Sequence, residues 1–533
     1  MKKLLSLTLL FVSAFCWSAG AQTVADGLRY LDNEQYIKAG STFKSLVASA
    51  PTASNYFYLG NYYLTLERAD TAHGIYADSA KAVFEKGVLA DPKFNLNYVG
   101  LGHYEVFNGR PAQGAILLNK AVQASRGKDA ELLYRAAEAY VLYPANDPLE
   151  ANRLLDMAIK VNAKNAEYYI LKGDAFMLKN DGSSAGTLYD KAKSIAPNSA
   201  KAYIKYGNIL IRAKSYQVAL ESYLKGMAVD TLYAPGYRQL GELYYKAGKY
   251  DNAVQAYTKY IRLTDQRPEN QFRYGAFLFL AKNDDKAIEV LNSLPPAYQN
   301  DFKYRLLAYS QVQKQMFTEG MANMKLFMTK IDSSKYLASD YEYYGRLLIE
   351  SGQDTSLGLL QLGKAVDKDS TKITLLTDFA KRFFDAKRYL RAAEVYDVLA
   401  SKGKRGPTEM YIQGQAYFFG KEYVKADTMF TRLMAAQPTS FMANLFKARC
   451  IIYQKTDPDL IKGLAKPYYE KFTLLVTGEN VDKYKKQLAE AYVYLGTYYG
   501  RRKDIPQAEA AFKKALEFDP TNKTAKEALS DKK

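Results

Sequence analysis

One spaced pattern recurs along this 533-residue chain and limits what it can fold into. Its last full copy sets Tyr492, Leu495-Gly496, Tyr499, Ala508, Phe512, Ala515 and Pro520 at relative positions 4, 7–8, 11, 20, 24, 27 and 32. The same spacing returns as Tyr237, Leu240-Gly241, Tyr244, Ala253, Tyr257 and Tyr260. It returns again as Tyr169, Gly173, Phe176, Ala185, Tyr189, Ala192 and Pro197, and as Gly414, Tyr417, Ala426, Phe430, Leu433 and Pro438. Positions 4, 7, 8 and 11 share one stripe of a 3.6-residue helix. Small residues at 8 and 20 let two helices approach closely, a large residue at 24 fills the space between them, and Pro at 32 ends the second helix. One such hairpin cannot bury its own apolar face, so copies must stack.

This pattern resembles the tetratricopeptide repeat (TPR), a helix–turn–helix unit of about 34 residues, with Tyr492 standing where the signature has Trp. The resemblance implies an all-α fold, an α-solenoid forming a right-handed superhelix of about fourteen units. The first is marked by Gly27, Tyr30, Ala39, Phe43 and Pro51, and the second by Tyr56, Leu59-Gly60, Tyr63, Ala80, Phe84 and Pro92. Four segments are expected: 1–21 as an export signal, 22–265 as an N-terminal array, 266–370 as degenerate units, and 371–533 as a C-terminal array. Residues from about Thr521 to Ser530 read as a capping helix, which an open array end needs. The chain's 47 Tyr against one Trp fit this reading, because positions 4, 11 and 24 take large aromatics whose hydroxyls can reach water or backbone.

The N-terminus has the build of a cleavable signal peptide: Lys2 and Lys3, an apolar run from Leu4 to Phe15, then Ala19-Gly20-Ala21 as the cleavage site. Cutting after Ala21 predicts a periplasmic or secreted protein. Cys16 offers a lipid-anchor alternative, but Phe15 precedes it where a lipobox has a small residue. The mature chain would keep no Trp, since Trp17 is the only one, and a single cysteine, Cys450, so packing rather than a disulfide must hold it. No later stretch is apolar for long enough to span a bilayer. The formal charge of +18 loses two with Lys2 and Lys3; what remains serves solubility and would draw acidic partners or an anionic envelope surface. The basic residues are scattered, which gives no sign of nucleic-acid binding.

Catalysis is hard to build from this inventory. The two histidines, His73 and His103, stand at no metal-binding spacing. Neither gives a Ser or Cys nucleophile a base, and the 33 glycines sit at repeat positions rather than in a phosphate loop. Cys450 reads as a buried structural thiol. We expect no enzyme activity, no metal and no cofactor.

In proteins of this family the first helix of each unit lines the concave face, with positions 2, 5, 9, 12 and 13 turned inward. Carried onto this chain, the rule implies a binding surface of Phe57, Asn61, His103, Asp174, Asn208, Arg238, Glu242, Tyr245 and Lys246. Further along it adds Arg346, Lys381, Tyr411, Gln415, Phe418 and Phe419. That polar, aromatic and charged mixture suits a protein or peptide partner better than a dry pocket. The clamp by which chaperone-binding members hold a C-terminal carboxylate needs Lys at 5 and Asn at 9. Asn61 and Asn208 occupy position 9, but Phe57 and Ile204 stand at 5. The expected function is an exported scaffold holding protein segments, with a membrane-tethered envelope assembly or secretion component as the alternative.

Overall fold

The computed structural model describes residues 22–69, 75–143, 147–455, 457, 460 and 462–530. The export-signal reading of 1–21, with Cys16 and Trp17, and His73 lie outside them. Among the described residues all regular structure is helical. The chain gathers into two compact units, Met1–Gln299 and Asn300–Lys533, so their boundary follows Pro295-Pro296 inside the stretch of faint repeats.

Among its described residues the first unit holds eight helix pairs. These are α1 (Val24–Asp32) with α2 (Tyr36–Ser49), α3 (Ala53–Ala69) with α4 (Ala77–Ala90), α5 (Leu96–Phe107) with α6 (Pro111–Ala124), and α7 (Ala130–Leu142) with α8 (Pro148–Val161). Then come α9 (Ala166–Leu178) with α10 (Gly182–Ile195), α11 (Ala200–Arg212) with α12 (Tyr216–Val229), α13 (Ala234–Lys246) with α14 (Tyr250–Leu263), and α15 (Pro268–Leu280) with α16 (Asp284–Asn292).

The second unit holds six. They are α17 (Phe302–Gln313) with α18 (Phe317–Lys330), α19 (Ala338–Glu350) with α20 (Thr355–Lys368), and α21 (Ile373–Asp385) with α22 (Tyr389–Ser401). They continue as α23 (Pro407–Phe419) with α24 (Tyr423–Ala436), and α25 (Phe441–Tyr453) with α26 (Lys466–Leu475). After the short α27 (Asn480–Lys483), α28 (Lys485–Arg501) pairs with α29 (Ile505–Phe518), and α30 (Lys523–Ser530) covers the end through the buried Ala525.

Local chemistry sets the ends of these helices. Asp147, Asp181, Asp354 and Asp504 each accept a first-turn N–H of the helix that follows. Proline occupies the first turn of α6, α8, α13, α15, α23, α26 and α29, where no N–H is missed. In several hairpins the inner turn passes through a left-handed residue. Gly248 takes it at φ +69°, while Lys214, Lys387 and Lys421 adopt φ +59°, +57° and +65°.

Packing explains the pattern. A Cβ added to the glycine at position 8 would lie 2.4–2.8 Å from the side chain at position 24 of its own hairpin: Gly60 under Phe84, Gly173 under Tyr189, Gly207 under Tyr223, Gly414 under Phe430 and Gly496 under Phe512. The small residue is therefore the seat of the large one. Phe84 and Phe430 are fully buried and Tyr223 nearly so, each worth about 2 kcal/mol of transfer free energy. Many tyrosines satisfy their hydroxyls: Tyr189 donates to Asp174 and Tyr223 to Asn208, both at 2.6 Å, and Tyr169 and Tyr237 each reach a carbonyl six residues back.

The stretch 266–370 folds into hairpins like the rest. Its pattern is faint because leucine replaces the aromatic: Leu291 sits over Gly275 and Leu362 over Gly345. Cys450 is fully buried, and burial pushes its thiol up to about 12, an inert state at neutral pH.

Candidate binding surfaces of the two units

In the first unit the array returns on itself. The turn between α1 and α2 meets α11, α13, α14 and the segment before α15 through a set of polar contacts. Lys201 Nζ lies 3.1 Å from Asp32, and Arg238 lies 2.8 Å from Glu34. The Tyr260 hydroxyl donates to Glu34 at 2.6 Å, Gln35 Nε2 donates to the Leu263 carbonyl at 2.6 Å, and the Ile37 N–H donates to Asp265 at 2.9 Å. The Ala234 N–H donates to the Asn33 side chain at 3.2 Å. Among the described residues the buried apolar cluster around Phe43 stays within α1–α4, and the one around Tyr257 within α12–α16.

The ring so closed surrounds a cavity of about 670 Å³, lined mainly by the first helices of the hairpins. Its wall is charged, and much of the charge is paired, within one helix or between hairpins. Lys201 also meets Glu167 at 2.7 Å, and Lys205 meets Asp174 at 2.7 Å. Arg135 binds Glu138 at 3.0 Å and Glu131 at 2.8 Å. Burial would depress the Lys201 ammonium, but Asp32 and Glu167 outweigh it and hold its pKa well above the usual lysine range.

Asn61, Asp174, Asn208 and Arg238 line this cavity, and three of them are engaged. Asp174 accepts from Lys205 and Tyr189, Asn208 from Tyr223, and Arg238 pairs with Glu34. Two expected surface residues are instead in the interior. Phe57 is 1% exposed, packed against Phe84 and Tyr58 of its own hairpin, because an apolar side chain at position 5 is driven into the core. His103 is 2% exposed; its Nε2 lies 2.6 Å from the Arg135 carbonyl, with Tyr143 edge-on, and burial depresses its pKa to about 4. Glu242 is bound by Arg273 of the next hairpin, Nε to Oε1 at 2.8 Å. Tyr245 stacks on Phe277 beneath the same arginine, and Lys246 is exposed.

In the second unit, Arg346 leans on Glu342 and Lys381 is exposed. Tyr411 accepts from Gln415 at 2.9 Å and packs edge-on against Phe446; burial raises its hydroxyl to about 12. Phe418 and Phe419 belong to a row of rings that crosses three hairpins without a break. Phe384 touches Tyr389 and Phe419, Phe419 touches Phe418, and Phe418 touches Tyr423 and Tyr453, all with centroids within 6.3 Å. Phe419 and Tyr453 keep 43% and 55% of their surface exposed. Lys387, Lys421 and Lys455, on the three turns beside the row, are exposed, and none is held by a carboxylate among the described residues. Next to the row a cavity of about 390 Å³ opens between Phe418, Tyr453, Tyr494 and the Arg449–Glu490 pair.

Sequence reasoning missed Asp32, Glu34, Lys201 and Arg273, which the ion pairs above depend on. Among the described residues no three His, Cys, Asp or Glu side chains gather as a metal site would need, and no helix is long and apolar enough to cross a membrane.

Residues 136–200, 244–308 and 489–522 each match a family model described as tetratricopeptide repeat. Among solved structures, the chain is similar to the C-terminal part of a TPR repeat-containing protein from Cytophaga hutchinsonii. The two are 34% identical over 49% of this chain and 99% of that one, with a TM-score of 0.32. A thermophilic TPR protein from Thermus thermophilus is 18% identical over 34% of this chain and 98% of its own, with a TM-score of 0.30. A tetratricopeptide repeat protein from Parabacteroides merdae is 16% identical over 45% and 93%, with a TM-score of 0.31. No curated protein matches the sequence.

Proposed function

This chain belongs to the tetratricopeptide repeat family, and from that premise we propose that it is a non-catalytic scaffold that holds protein segments on its second unit. The observation that carries this reading is the aromatic row from Phe384 to Tyr453. Burying exposed rings is the main source of affinity in most protein interfaces, and aromatic anchors dominate it. Among the described residues Tyr216 is the only other Phe or Tyr left this exposed, and two such rings on one continuous row point to a surface kept open for a partner. Lys387, Lys421 and Lys455 beside it, held by no carboxylate among the described residues, favour a segment that carries acidic residues between apolar ones.

The first unit contributes less as a peptide groove, because its inner wall is already engaged in pairs such as Lys205–Asp174 and Arg238–Glu34. Export behind a signal peptide cut after Ala21 belongs to the same proposal; Gln22 as the first residue of the purified mature protein is its check.

The test compares the wild-type chain with a Phe419→Ala, Tyr453→Ala double variant as bait, with captured proteins identified by mass spectrometry. A partner enriched by the wild type, lost by the variant and weakened as salt screens the lysines is the expected result. Equal capture by both baits would remove the aromatic row from the account.

A further inference from the structure

A second cavity, of about 320 Å³, lies where the first hairpin closes on the seventh and eighth. It communicates with the larger one, since Glu34, Tyr36, Thr65, Arg68 and Arg238 line both. We infer that this pocket is a binding site for an oxyanion, a carboxylate or phosphate carried on a small polar ligand, and that its occupation fastens the first hairpin to the end of the ring.

Three guanidinium groups from separate parts of the chain line the pocket: Arg68 at the end of α3, Arg238 on α13 and Arg267 just before α15. All three act on the same phenol, Tyr36, whose own pKa is raised by burial first and by Glu34 next. Tyr36 therefore remains an O–H donor at neutral pH, and Arg267 lies 5.6 Å from the centre of its ring.

The carboxylates in the wall do not balance these cations. Glu34 is shared between Arg238 and Tyr260. Glu269 comes no nearer to Arg267 than 3.7 Å, beyond hydrogen-bond reach. Among the described residues Arg68 has no carboxylate partner, and the buried Nε–H of Arg238 has no acceptor. Arg68 and Arg238 thus each keep donor capacity that no carboxylate among the described residues takes up, and both residues line the same small space. Planar guanidinium forks bind planar carboxylates and phosphates through paired N–H donors, which makes these anions the matching chemistry. A cavity of about 320 Å³ has room for a carboxylate or phosphate head group. A ligand body would extend into the larger cavity, whose mixed charges suit a polar molecule.

The consequence for the ring follows from position. Arg68 comes from the second hairpin, Arg238 from the seventh, Arg267 from the eighth, and Tyr36 from the first. An anion gripped by all four would tie both sides of the seam, adding to the polar contacts that cross it. This inference concerns the first unit and stands or falls apart from the partner surface of the second.

The experiment is titration calorimetry of the full chain at low ionic strength with inorganic phosphate and, separately, with citrate, against sodium chloride at matched ionic strength. Saturable binding of one ion per chain is expected for at least one of them, and which one binds identifies the class. Arg68→Met should weaken that binding by about tenfold or more, the loss of one charge-assisted donor pair. Amide exchange across residues 24–49 and 234–265 should slow when the anion is bound. If Arg68→Met alone lowers the melting temperature, Arg68→Lys keeps the charge and stem while losing the fork, and it should still weaken binding. Heats no larger than those of chloride, or affinity unchanged in both variants, would overturn the assignment.

Discussion

The hydroxyl of Tyr260 donates to Glu34 across 2.6 Å although 226 positions separate them in the chain. With Arg238 on its other oxygen at 2.8 Å, Glu34 is the residue through which the first hairpin recognises the seventh. The contacts around it are hydrogen bonds and ion pairs, while the apolar clusters on either side stay apart. A repeat array gains most of its stability from nearest neighbours. A seam between distant hairpins can therefore open without unfolding either.

Glu34→Ala should open that seam. Glu34 is mostly buried, but Arg238 is more than a third exposed, so water recovers part of what Arg238 loses, and the cost is about 1–2 kcal/mol. It should appear locally, as faster amide exchange in residues 24–49 and 234–265, with the second unit unchanged. Raising salt in the wild-type protein should push exchange the same way. Protection that does not change across 24–49 would mean the seam is held by something other than Glu34.

The glycine seats predict a reversal of sign among identical substitutions. An added Cβ would lie 2.4 Å from Tyr223 at Gly207 and 2.5 Å from Tyr189 at Gly173, but 3.1 Å from Tyr257 at Gly241. Alanine gains about 1 kcal/mol over glycine inside a helix, while forcing a packed ring aside costs about 1–3 kcal/mol. Gly207→Ala and Gly173→Ala should therefore destabilise, and Gly241→Ala should be neutral or stabilising. Tyr189→Leu in the Gly173→Ala background should recover part of the loss. Urea midpoints for the four proteins decide it, and a uniform loss would undo the ranking.

The hairpins were legible because their geometry is local: the Gly173–Tyr189 and Gly496–Phe512 seats lie within one unit, so fixed spacing reveals them. The inner surface was legible only in outline. The positional rule placed Asp174, Asn208 and Arg238 on the cavity wall, yet it assigned Phe57 there too, against the drive to bury an apolar ring. The spacing of opposite charges carries a further signal. Ion pairs join residues about one unit apart, at separations of 34 for Lys201–Glu167, 31 for Lys205–Asp174, 32 for Arg382–Glu350 and 35 for Arg305–Asp340. Opposite charges at that offset mark paired groups rather than free ones. The Glu34–Tyr260 closure had no such signal, because it depends on small rotations accumulated over seven hairpins.

One of these pairs is buried deeply enough to carry stability. Asp340 is fully buried and accepts from Arg305 Nε and Nη2 at 2.8 Å, the Tyr309 hydroxyl at 2.7 Å and the Leu337 N–H at 2.6 Å. Asp340→Ala strands the guanidinium of Arg305, whose side chain is only 13% exposed, and should cost about 3–5 kcal/mol. Removing both charges, as Arg305→Met with Asp340→Asn, should cost less than Asp340→Ala alone. Urea unfolding of the second unit measures both, and a loss below about 1 kcal/mol for Asp340→Ala would show that water reaches the pair.

His103 sets a pH dependence whose sign can be worked out. Its Nε2–H donates to the Arg135 carbonyl at 2.6 Å inside the first unit, and burial holds its pKa at about 4, below the unfolded value of about 6.5. Below about 6.5 the unfolded chain takes up a proton that the folded one refuses, so stability is full above that pH and declines until the folded site protonates near 4. The total is about 3 kcal/mol, at about 1 kcal/mol per pH unit through the middle of the window. His103→Gln keeps an N–H donor for Arg135 and removes the titration. Urea unfolding at pH 7 and pH 5 isolates this term, because carboxylates contribute almost equally in both proteins. The wild type should lose about 1–2 kcal/mol more than the variant over that interval. Parallel losses would mean that His103 meets water in the folded chain.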